Sequence, residues 1–294
     1  MRYALLVVLV ACRSHDKPAP KAPPPDPLAA VLVNAGAEPR RPVHYALAKG
    51  TKVELDLAID AHLAIAGISP EMPEQQFVLE VVVDDVLADG RMQLRSTIVH
   101  AAARDGSAGS GSAGSGLDPR ALAGRLAMLE GTAITATLSP DGRLDALALD
   151  DGGRPQPDAA ELLAGFGRLA IALPKDPIGV GARWTSSREL TPGGVRVTAT
   201  STFDVTALAA DKLSYRVTTE LHGADQQATM QGVAIDVAKI TGSGSGDGTL
   251  DLAHFANQAT LELKLAATMT AQGEASPLEL GVKTVLAPRE GASR

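Results

Sequence analysis

Apolar and polar residues alternate along much of this chain. Val53, Leu55, Leu57 and Ile59 alternate with Glu54, Asp56 and Asp60. Val195, Val197, Ala199, Phe203 and Val205 alternate with Arg196, Thr198, Thr200, Thr202, Asp204 and Thr206. Leu213, Tyr215, Val217 and Leu221 face Ser214, Arg216, Thr218, Glu220 and His222 in the same way, and Leu261, Leu263, Leu265 and Met269 face Glu262, Lys264 and Thr268. A period of two belongs to a β-strand with one buried face. Parallel strands, covered on both faces, read as unbroken apolar runs, so this one-sided pattern predicts antiparallel sheet. Turn signals separate the segments at Asp89-Gly90, Pro140-Asp141-Gly142, Pro192-Gly193-Gly194 and Asp247-Gly248.

Two stretches depart from alternation. Asp118-Pro119 ahead of Arg120–Glu130 reads as an N-cap, a proline at N1 and a helix with Leu122, Leu126 and Leu129 on one face. Pro157-Asp158 through Ile171 reads as a second helix, with Leu162, Leu163, Phe166, Leu169 and Ala170 facing the core and Pro174 closing it. Residues 105–116 (DGSAGSGSAGSG) are low in complexity and read as a flexible loop. The body divides into halves at 28–150 and 151–294. A hairpin turning at Asp89-Gly90 and one turning near Ala210-Asp211 are each followed by a glycine turn of related form. Internal duplication and the imitation that repetitive β patterns produce both remain open. The expected fold is mainly β: an antiparallel, strongly curved sheet or half-barrel with two short helices, since long alternating strands twist and coil.

Composition narrows the function classes. The chain of 294 residues is 45% hydrophobic and 21% charged, enough for a packed core. Its net charge of -7 and its scarcity of aromatic residues (Phe 4, Tyr 3, Trp 1) argue against a nucleic-acid partner, which needs a basic footprint and stacking rings. A single cysteine allows neither an internal disulfide nor a thiolate metal cage.

That cysteine has a specific context. Arg2 is a short positive region, and Tyr3 to Ala11 are apolar, too few to span a bilayer but suited to a secretory signal. Leu9-Val10-Ala11-Cys12 resembles the lipobox of bacterial lipoproteins. The resemblance implies cleavage before Cys12, removal of residues 1–11, and acyl chains on Cys12 as a membrane anchor; two or three chains hold stably where one does not. Arg13 follows, with no Asp to signal inner-membrane retention, so the resemblance favours the outer membrane. Residues 12–27 form a tether: Pro18–Pro27 hold six prolines in ten residues, and an extended 13–27 reaches about 45 Å.

The segment Leu173–Trp184 (LPKDPIGVGARW), with LSPDGRL at 138–144 and GAEPRRPVHYAL at 36–47, resembles an uncharacterised family of secreted, often lipidated, β-rich bacterial proteins over about residues 28–287. It implies location and architecture. The family carries no known catalytic residues to transfer.

No catalytic, cofactor or metal residue is assigned. Gly109-Ser110-Gly111-Ser112-Ala113-Gly114 matches GxGxxG, but the helix after it starts near Pro119, too late to meet a pyrophosphate. His15, His44, His62, His100, His222 and His254 show no short metal spacing. By parity His100 shares the face of Leu94 and Ile98, whereas His222 lies opposite Leu221. No GxSxG elbow occurs. Asp84-Asp85 and Asp150-Asp151 would point to opposite faces of a strand, which prevents a shared acid–base site. Trp184 reads as a core plug at a strand start, and His44-Tyr45 as the entry to a strand.

Three function classes follow. The first is a membrane-anchored, non-enzymatic lipoprotein with an envelope or binding role and an unknown lipid or protein partner. The second is a carrier of a lipid or other apolar ligand in a groove of the curved sheet. The third is an enzyme whose site only tertiary folding assembles.

Overall fold

The computed structural model describes residues 29–69, 72–104, 119–150, 166, 169–190, 195–230, 233–271 and 273–289. In chain order they form β1 (Val31–Asn34), β2 (Lys52–Ile65), β3 (Glu74–Val86), β4 (Met92–Arg104), α1 (Pro119–Ala127), β5 (Ala133–Leu138) and β6 (Leu144–Asp150). The second half contributes β7 (Arg183–Leu190), β8 (Val197–Leu208), β9 (Lys212–Gly223), β10 (Gln226–Met230), β11 (Val233–Asp251), β12 (Gln258–Ala271) and β13 (Glu274–Pro288). The 13 strands make one sheet in the order β1-β7-β8-β9-β11-β12-β13-β2-β3-β4-β5-β6, with β10 also beside β11. Every pairing is antiparallel, as one-sided alternation requires.

The sheet joins two hairpin meanders, β2–β6 and β7–β13. The last strand pairs with the first of the other meander, from Leu278 opposite Ile65 to Pro288 opposite Leu55. The path does not close, and β1 and β6 are its ends. Leu213, Tyr215, Val217 and Leu221 of β9 are buried on one face, here the inner face; Arg216, Glu220 and His222 are exposed on the other.

The inner face carries two buried clusters. On β8 and β9 the first takes Phe203, Val205, Leu213, Tyr215 and Val217, and the second takes Val197, Ala199 and Leu221. The first also contains Leu79 of β3, Leu94 of β4 and Leu138 of β5. Strands from both ends of the path therefore contribute to one core. α1 packs on β4 and buries Leu126, as its apolar stripe predicts.

Three expectations change. The helix expected over 157–171 falls largely outside the described residues, and α1 is the one helix among those described. Phe166 is helical, but Leu169 and Ala170 form a bend and Ile171–Pro174 are irregular. Tertiary bonds capture this backbone: Asn257 Nδ2 donates to Leu169 O (3.1 Å), Ile171 N to Tyr45 Oη (3.3 Å) and Leu173 N to Asp141 O (2.8 Å). Second, Asp247-Gly248 is no turn but part of the 19-residue β11. Gly242, Gly244, Gly246 and Gly248 alternate with Thr241, Ser243, Ser245 and Asp247, and a Cβ at these glycines would strike β12 or side chains of β9 and β12. Close approach, not turn geometry, is what these glycines provide. Third, His44-Tyr45 opens no strand. Residues 42–48 run outside the sheet, where Tyr45 N donates to Pro140 O (2.9 Å) and Ala46 N to Leu252 O (2.8 Å).

The turns at Asp89-Gly90 and Pro140-Asp141-Gly142 are present; 192–194 lie outside the described residues. Gly142 is left-handed (φ 82°), and a Cβ there would overlap the Ile171 carbonyl. Only glycine fits this position.

Candidate functional site

One end of the inner face is plugged. Trp184, with no exposed surface, stacks on Phe203 (centroids 5.0 Å apart, 13°), and Phe203 meets Tyr215 edge-on at 5.6 Å. Trp184 Nε1 donates to Ala172 O (3.0 Å), satisfying its only polar atom. Tyr45 lies 5.9 Å from Phe255 and is buried, like Tyr215. Burial pushes both phenol hydroxyls well above their ordinary range. Trp184 is thus the plug its position predicts.

Between the two clusters lies a different row. Cross-strand register places Gly244 beside Leu263, Leu263 beside Val282 and Val282 beside Ala61, so β11, β12, β13 and β2 each supply one inner-face residue. The parallel rows on either side are Gly242, Leu265, Leu280, Leu63 and Gly246, Leu261, Thr284, Ile59. Leu265 belongs to the second cluster, and Leu280 and Leu63 pack against it; Leu261 and Ile59 pack against the first. Leu263, Val282 and Ala61 belong to neither and are half-buried. On the other side, Gly244 adjoins Thr219, which pairs in turn with Ser201. Their hydroxyls are buried and hydrogen-bonded to each other at 2.9 Å. A waist therefore crosses the inner face, with hydroxyls at one end and a partly open apolar row at the other. It offers no charged group in those rows.

The residues singled out by sequence do not converge. Cys12, the tether, His15, Asp151 and the Gly/Ser segment 105–116 lie outside the described residues. His100 is exposed, not on the inner face: a bulge between Val78/Leu79 and His100/Ile98 adds a residue and reverses the parity. Its Nδ1 meets Glu130 Oε1 at 2.8 Å, and the Glu130 carboxyl is held below its usual range by the Ala101 N–H and then by His100. His222 is exposed opposite Leu221, as parity predicts. His62 contacts Ser69, and His254 contacts Asp251 at 3.1 Å. No group of three or more His, Cys, Asp or Glu among the described residues could hold a metal.

Asp84 and Asp85 are separate ion pairs, with Arg95 at 2.7 Å and Lys49 at 3.0 Å. The Lys49 hydrogen bond, a backbone bond from Val86 and the Lys49 charge hold the Asp85 carboxyl low. These are solvated surface charges, each worth little to stability.

The waist was missed because its members lie far apart in sequence. Only GSGSGDG at 242–248, read as a strand, would have pointed there. No helix among the described residues is long and apolar enough to cross a membrane. No protein-family model matches the chain, and no curated protein matches its sequence.

Proposed function

We propose that this chain is a lipid-anchored protein of the bacterial cell envelope that acts by binding an apolar ligand, without covalent chemistry. Acyl chains on Cys12 hold it to the outer membrane, and 12–27 is the tether. The observation that carries the binding reading is the waist: Leu263, Val282 and Ala61 are half-buried between two packed clusters and floored by Gly244.

A strongly curved, half-barrel sheet accounts for this arrangement. Twelve strands in a flat path, about 4.8 Å apart, would set its ends roughly 50 Å from each other. Yet Leu138 of β5 and Trp184 of β7 share one cluster. The glycines of β11 suit such a bend, because strand glycines mark tight corners and close backbone approach. The concave face then forms a groove for an acyl chain or similar body.

Two variants test the reading. Cys12→Ser should release the protein from the membrane fraction and remove the acyl mass; wild-type fractionation without acyl mass refutes the anchor. Val282→Lys places a charge at a half-buried waist position and should abolish apolar cargo in native mass spectra of protein from its own membrane. Ligand-free wild-type spectra, or equal cargo in the variant, refute the carrier.

A second reading rests on the β1 edge. Val31 and Val33 are 58% and 61% exposed on a strand that, among the described residues, is paired on one side only. Such an edge accepts a partner strand, its backbone groups supplying affinity and the valines the contact.

A further inference from the structure

Among the described residues, Arg41 Nη2 is the one buried side-chain nitrogen or oxygen without a hydrogen-bond partner. Buried polar atoms are rarely left so, and an unpaired charged donor carries its full desolvation penalty. The backbone of Arg41 is fixed: its N donates to Ile178 O (3.0 Å) and Ile178 N donates to its O (2.9 Å). Among the described residues, no side-chain hydrogen bond or ion pair commits the guanidinium. Glu38 is nearby in sequence, but its carboxylate accepts from Arg40 N (2.9 Å), pairs with Arg40 Nε (3.5 Å) and is 73% exposed.

Arg41 lines a cleft of about 260 Å³. Glu38 and Pro39 join it from the same loop, Val180 from the approach to β7, Leu208 from the end of β8 and Ala209 from the β8–β9 turn. The walls are braced: Ala37 N donates to Val180 O (2.9 Å), and a Cβ on Gly36 would come within 2.6 Å of Ala182 N. An uncommitted cation beside apolar walls is a recognisable chemistry. We propose that this cleft binds a carboxylate carried on a short apolar stem.

The arginine fork presents coplanar donors that match a carboxylate two at a time. Rotation about the last side-chain bonds turns the buried Nη2 toward the cleft, where the carboxylate supplies the missing acceptor. Val180, Leu208 and Ala209 cover the stem. The volume lies below the roughly 300–1,000 Å³ of drug-sized pockets, which keeps the stem short. The Glu38 carboxylate at the rim is already paired with Arg40. The site is separate from the waist and does not depend on the carrier reading.

Calorimetric titration of the mature protein with hexanoate, hexanamide and inorganic phosphate tests this. Hexanoate should bind, with hexanamide and phosphate weaker by about tenfold or more, the factor expected for a lost charge-assisted bond or a lost stem. Arg41→Met should cost hexanoate a similar factor, with folding checked by its thermal transition. Ala209→Leu narrows the cleft while keeping Arg41, and should also weaken hexanoate. Equal binding of hexanoate and hexanamide overturns recognition of the carboxylate. Phosphate binding as tightly as hexanoate overturns the apolar stem. Absence of hexanoate binding, or binding that survives both variants as adsorption at the waist would, overturns the site.

Discussion

Gly248→Ala and Gly281→Ala put the same methyl on two strand glycines and should move stability in opposite directions. At Gly248 an added Cβ would lie 2.6 Å from Gln258 O and 2.6 Å from Tyr215 Oη. One obstacle is backbone and the other is a buried ring, so neither yields cheaply. Overpacking of this kind costs about 1–3 kcal/mol. At Gly281 the nearest atom is His62 Cβ at 3.8 Å, an ordinary contact. Both changes restrict the unfolded chain, which favours folding by about 0.4–1 kcal/mol. Gly281→Ala should therefore be neutral or stabilising by up to about 1 kcal/mol, and Gly248→Ala destabilising by about 0.6–2 kcal/mol after that offset. Urea unfolding followed by far-ultraviolet circular dichroism reads both as midpoint shifts at constant slope. A Gly248→Ala protein as stable as wild type would refute close packing at β11.

Trp184→Ala removes a fully buried ring and its stack on Phe203, and should cost about 3–5 kcal/mol. Because Trp184 is the only tryptophan, circular dichroism must follow the unfolding; a loss below about 1 kcal/mol contradicts the plug. Burial pushes the Asp141 carboxyl up, but hydrogen bonds from Ser139 and Arg143 and the charges of Arg143 and Lys175 outweigh it and hold it below the carboxylate range. That stabilisation is present above the unfolded value near 4 and is lost as pH falls through the lower folded value. Asp141→Asn should thus be less stable than wild type at neutral pH, with the gap narrowing in acid; a pH-independent gap refutes the linkage. Tyr45 and Tyr215 are raised by burial, so a folded protein prepared without residues 1–11 should show no phenolate absorbance near pH 10. Its stability should fall only above that pH, where the unfolded chain ionises first, and a native phenolate near 10 would contradict the packing.

Strands were legible wherever one face was wet. The 195–206 and 213–222 segments show Thr, Arg and Glu opposite Val, Leu and Tyr, and they became β8 and β9. Parity failed at His100 because a bulge leaves no mark in composition, yet it flips every side chain beyond it. The apolar spacing of Phe166, Leu169 and Ala170 suggested a helix; Phe166 is helical, but Leu169 and Ala170 lie in a buried bend where tertiary hydrogen bonds to Leu169 and Ile171 redirect the backbone. Asp247-Gly248 carried a local hairpin signal that pairing with β9 and β12 overrides. The waist and the Arg41 cleft were illegible for one reason. Ala61, Gly244, Leu263 and Val282, like Arg41 and Val180, meet only once register or loop packing is fixed.

The waist is also an argument about what this sequence does not fill. Burying apolar surface gains roughly 25 cal/mol per Å², so half-buried Leu263 and Val282 forgo stability that larger neighbours would supply. Their row instead holds Gly244 and Ala61, the smallest residues available, while the rows beside it merge into packed clusters. Gly244 is constrained by Leu263 and β12, which explains one small residue. Ala61 sits on β2, paired with β13 at Val282, and neither cluster includes it. The outer face carries charges in solvated pairs such as Arg183–Asp204 at 2.7 Å and Lys283–Glu262 at 3.4 Å. The partly open apolar row of Leu263, Val282 and Ala61 thus lies on the inner face between the two cores, while the more exposed apolar side chains, such as Val31, Val33 and Val285, lie outside that row. A chain anchored by acyl groups would keep that opening within a tether's length of membrane lipid, where an apolar ligand is supplied without crossing water.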